Sequence, residues 1–115
     1  MSRLHLPSSV RVFGKSVHMI AWGWFASVWW LWLAGVRQHL RRQGTMPPDY
    51  GVSVLLGGAA VGVVIWAIAK WLTRATGPAP HPDLEWREWH HAFWWAAVPN
   101  AMLLGTVYLM ILATA

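Results

Sequence analysis

Charged residues in this chain fall in clusters, and three long uncharged runs separate them. Residues 16–36, 51–69 and 90–115 carry no formal charge over 21, 19 and 26 positions. A helix needs about 20 predominantly apolar residues to cross ~30 Å of hydrocarbon. The pattern therefore predicts an all-α membrane protein with three transmembrane helices and an interfacial N-terminal arm. As a single membrane domain over 1–115 it divides into an arm at 1–15, helix one at 16–36, a loop at 37–50, helix two at 51–72, a loop at 73–83 and helix three at 84–113. The arm mixes Leu4, Leu6, Val10, Val12 and Phe13 with Arg3, Arg11 and Lys15, a composition suited to the headgroup region. The first loop turns at Gly44 and at Pro47 and Pro48, which cannot continue a helix. The second carries Pro78, Pro80 and Pro82; Asp83, Glu85 and Glu88 then follow, as acidic residues do at a helix N-terminus. No small-x-small cleavage site closes the first run, so helix one is expected to be a permanent span.

Composition agrees with the pattern. Of 115 residues 57% are hydrophobic and only 11% charged, and eleven are Trp. So short a chain cannot bury that much apolar surface in a core of its own. The net charge of +5 sits at the ends of the apolar runs, where anionic headgroups lie, and forms no stripe suited to nucleic acid. With no Cys, disulfides and thiolate metal sites are excluded. The arm and the second loop hold six Lys and Arg against three in the first loop. By the positive-inside rule the N-terminus is expected in the cytoplasm, in a bacterial inner membrane.

Three features carry packing. Trp22, Phe25, Trp29 and Trp32 follow 3–4–3 spacing and share one face of helix one. Trp22 and Trp29 lie too deep to be interfacial anchors. Helix two contains Gly57, Gly58 and Gly62; the Gly58-x-x-x-Gly62 motif lets two backbones approach closely. In helix three Pro99 frees the carbonyl of Trp95, and Asn100 places an amide at the same depth, where it is expected to face protein.

Histidine is the main chemistry on offer. His18 near the start of the first run and His90 and His91 at the start of the third should lie at similar depth, since helices one and three point the same way. Imidazoles so placed, beside Trp22 and Trp94, are what haem b, bacteriochlorophyll or a quinone would need. Headgroup contact is the plainer role. Glu88-x-x-His91 is half of a di-iron helix motif and lacks its second copy. No nucleophile stands beside a base, so neither catalytic nor metal residues are assigned and no enzyme is expected.

The leading expectation is a small non-catalytic subunit packed among other integral-membrane subunits of a larger bacterial complex in respiratory or photosynthetic electron transfer. The alternatives are a haem-, pigment- or quinone-binding anchor using His18 and His90 or His91, and a small oligomeric transporter or channel. Lipid bilayer is a partner under each, and nucleic acid under none.

Overall fold

The computed structural model describes the backbone of residues 2–49 and 51–114, with side chains from residue 9 onward. Its elements are α1 (Ser2–Gln43), α2 (Val52–Thr76) and α3 (Pro82–Thr114). The protein is all-helical in its described residues, and all three helices are long and apolar enough to span a membrane. It is elongated, 63 × 22 × 20 Å. The long axis is that of α1: 42 residues at about 1.5 Å each span ~63 Å.

The helices outrun the apolar stretches that signalled them. The arm expected at 1–15 is helical from Ser2 and continues into the first span without a break at Lys15. At the other end, residues 37–43 of the expected loop extend α1 by two turns. Arg37, Gln38, Leu40, Arg41 and Arg42 are good helix formers, and the basic ones complement the negative end of the helix dipole. The break comes at Gly44, whose φ of 73° is left-handed and whose N–H bonds the carbonyl of Leu40 at 2.9 Å.

Gly51 enters α2 at φ 73°, and a Cβ there would also strike the indole of Trp32. Asp49 braces this turn. Its carboxylate accepts the Gly51 N–H at 3.0 Å and the Ser53 hydroxyl at 2.9 Å. These bonds hold its pKa below the ordinary carboxylate range. α3 begins at Pro82, a first-turn position where the missing N–H costs nothing.

α1 is the central helix. Both α2 and α3 pack on it, and among the described residues they do not pack on each other. Contacts to α2 run in opposite order, from Gly14 at Leu72 through Phe25 at Gly62 to Trp32 at Gly51, so the two are antiparallel. Contacts to α3 keep order: Arg11 meets Glu88, Met19 meets Asn100, and Trp30 stacks on Tyr108. α1 and α3 are therefore parallel, as three successive spans require.

Small residues set both interfaces. On α3, Glu88, Ala92, Ala96 and Asn100 recur every four residues and face α1, with Ala92 0% and Ala96 1% exposed. On α2 the close approaches are at Gly58, where a Cβ would press into Val28, and at Gly62, where it would press into Phe25. Trp24 donates its indole N–H to the Gly58 carbonyl at 2.7 Å. The Gly58-x-x-x-Gly62 motif thus faces α1 of the same chain. Gly57 looks away, with open space around it.

Candidate functional site

At one end of the bundle lies a buried cluster of charge, built where α1 and α3 each enter their apolar runs. Arg11 and Lys15 are four residues apart and so share a face of α1. Glu88 sits opposite on α3, 2% exposed. Its carboxylate accepts Arg11 Nε at 3.1 and 3.0 Å and Lys15 Nζ at 2.8 Å, and Arg11 Nη2 stands 2.9 Å away. Lys15 also reaches Glu85 at 3.3 Å and lies over the Trp89 ring. Glu85 in turn takes the Trp89 indole N–H at 3.1 Å and the Ala79 backbone N–H at 3.3 Å. Two cations and two carboxylates thus neutralise one another across α1 and α3. At the far end Arg42 donates to the Thr114 carbonyl at 2.8 Å, so the parallel pair is tied at both ends.

This cluster was not assembled from the sequence. Arg11 and Lys15 read as headgroup cations, and Glu88 as a dipole partner or half a metal motif. The available signal was register. An i, i+4 basic pair stands just before one apolar run, an i, i+3 acidic pair just before another, and the two runs point the same way.

The histidines are placed as follows. His18 Nε2 accepts the Trp22 indole N–H at 3.0 Å, and His90 Nε2 accepts that of Trp94 at 3.2 Å. An imidazole that accepts at Nε2 does so through that nitrogen's lone pair. A ligated metal would have to displace the indole to reach either Nε2. His18 also meets Trp89 edge-on, with ring centroids 6.0 Å apart. His91 lies on another side of α3, where it borders a cleft of about 610 Å³ with Trp95, Pro99 and the α1 residues Val12, Ser16 and Ile20. The three histidines therefore do not converge on one space. Among the described residues no group of three or more His, Asp or Glu is arranged to hold a metal ion.

Of the packing residues, Asn100 donates to the Met19 carbonyl at 3.3 Å and fills the place a Cβ on Gly23 would need. Its Oδ1 is buried without a hydrogen-bond partner among the described residues. Trp29 and Trp22 lie on the exposed surface, 56% and 60% accessible. Trp29 contacts Trp32, and Trp22 contacts Phe25. The deep aromatic face of α1 is thus only half used inside the chain.

Fold and site together define a multi-pass membrane protein whose first and third helices are locked by a buried ion-pair cluster. The chain matches no protein-family model, no curated protein and no solved structure.

Proposed function

We propose that this chain is a small non-catalytic integral-membrane subunit that packs within a larger bacterial membrane complex, one serving respiratory or photosynthetic electron transfer. One observation carries the reading: α2 and α3 each pack on α1 and leave each other untouched, so most of every span stays uncovered. Only 11% of each spanning window is buried. The surface totals 8248 Å², against roughly 6,300 Å² for a compact monomer of 13.0 kDa. Lipid covers apolar surface indifferently. A neighbouring helix gains from small residues that admit its backbone, and from flat aromatic faces. Gly57 on α2 and Gly105 on α3 are open in this way, with no atom near the place of a Cβ, and Trp71, Trp94 and Trp95 offer the faces. Extraction in mild detergent followed by mass spectrometry should recover the chain with other membrane polypeptides in fixed ratio. Recovery of the chain alone would reject the reading.

In this reading the N-terminus is cytoplasmic and the C-terminus outside, because the N-terminal side holds six basic residues against three. A C-terminal reporter active only outside the cytoplasm should be active. Silence there, with activity of a cytoplasmic reporter at the same site, reverses the orientation.

A second reading, a haem-, pigment- or quinone-binding anchor, is favoured by His91. It has no hydrogen bond among the described residues and opens on the 610 Å³ cleft beside Trp95. Under the subunit reading, His91→Ala leaves the absorption spectrum of the purified complex unchanged. A band that shifts or vanishes at normal protein yield would favour the anchor.

A further inference from the structure

On α2, beside the neutralised cluster, two cations remain without a carboxylate partner. Lys70 is the first charge after the apolar run of α2, and Arg74 follows one turn later on the same face. Among the described residues neither forms an ion pair. Lys70 Nζ rests 5.4 Å from the centre of the Trp66 ring. Both residues line a cleft of about 530 Å³ bordered by α1, the C-terminal end of α2 and the first turns of α3, and Arg11, Lys15, His18 and Glu85 are its other titratable groups. Arg11, Lys15 and Glu85 are engaged with one another and with Glu88. What remains is an excess of two positive charges, on neighbouring turns, at the depth of the headgroups.

The floor of the cleft extends into the membrane. Arg11, Lys15, His18, Trp22, Phe25 and Trp29 recur at alternating steps of four and three along α1, one continuous face that changes from cationic to aromatic. His18 on this face touches Trp89 of α3, and Phe25 touches Gly62 of α2, so the face runs between the two outer helices. Those helices do not close over it, and Trp22 stays 60% exposed.

We propose that this cleft binds one anionic glycerophospholipid, its phosphate between Lys70 and Arg74 and its acyl chains along the aromatic face of α1. Charge complementarity selects the headgroup: like charges one turn apart repel until an anion stands between them, and a basic pocket between helices at the cytoplasmic or matrix boundary suits a phosphate. The apolar floor selects a lipid over a free anion, because only a lipid fills both parts.

The test uses the full chain, delipidated in detergent and offered phosphatidylglycerol and phosphatidylcholine at equal concentration, with bound lipid counted by native mass spectrometry. The wild type should prefer phosphatidylglycerol by roughly thirty-fold, the order two surface-level cations supply. The Lys70→Gln, Arg74→Gln double variant should fall to near parity. The swap Lys70→Arg, Arg74→Lys should keep the preference, as should Arg37→Gln, Arg41→Gln, a matched i, i+4 pair on α1 at the other end of the bundle. Equal loss in both neutralised variants, or no preference in the wild type, would overturn the proposal. Displacement of the lipid by millimolar inorganic phosphate would reassign the cleft to a free anion and overturn the lipid.

Discussion

Glu88 is the residue on which the most depends. Arg11 and Lys15 have side chains 10% and 6% exposed, and Glu88 2%, so none has water to fall back on. A buried pair is weak evidence of net stabilisation against an apolar alternative. Removing one partner is a different matter, since it strands the others. Glu88→Gln should therefore cost about 3 kcal/mol, read as a lower melting temperature in detergent. Glu85, whose side chain is 40% exposed, should cost much less. Equal losses at the two positions would show that the cluster is held by charge count and not by the buried contact. Sequence pattern marked Glu88 only as a helix-dipole partner or half of a metal motif. An isolated carboxylate at the head of an apolar run looks the same whether it complements a helix dipole or meets a cation on a neighbouring helix. Only the relative register of α1 and α3 separates the two, and a contact between residues 77 apart in the chain is a tertiary fact.

At the scale of elements, three spans were legible because each apolar run matches the thickness of a bilayer, a constraint that needs no tertiary knowledge. Their ends were less so. Uncharged runs mark where lipid begins, whereas helices end where the backbone can turn, at Gly44 and Gly77 in this chain. Hence α1 runs through its basic flanks at both ends. The small-residue motif of α2 was also legible, but not its direction. Gly58 and Gly62 meet Val28 and Phe25 of α1, while adjacent Gly57 meets nothing. Neighbouring helical positions lie about 100° apart, so one substitution tests the interior of the chain and the other its exterior. Gly58→Leu should overpack the α1–α2 contact and lower stability by ~2 kcal/mol in the isolated chain. Gly57→Leu should leave the melting temperature unchanged there. If both variants melt alike, the assignment of the two faces is wrong.

On the scale of the whole molecule, the chain is one long helix with two others laid against it at separate places, braced by charge at one end and by Arg42 at the other. Such an arrangement is fixed in register but open in cross-section. It presents aromatic and glycine faces to whatever lies beside it, and the proposed packing among other membrane helices would cover them. The most direct measurement is photo-crosslinking in native membranes from a reactive side chain placed at Gly57, the uncovered position of α2. A discrete heavier species containing a different membrane polypeptide is the expected result. Adducts with lipid alone, at an expression level that preserves the fold, would contradict the subunit reading.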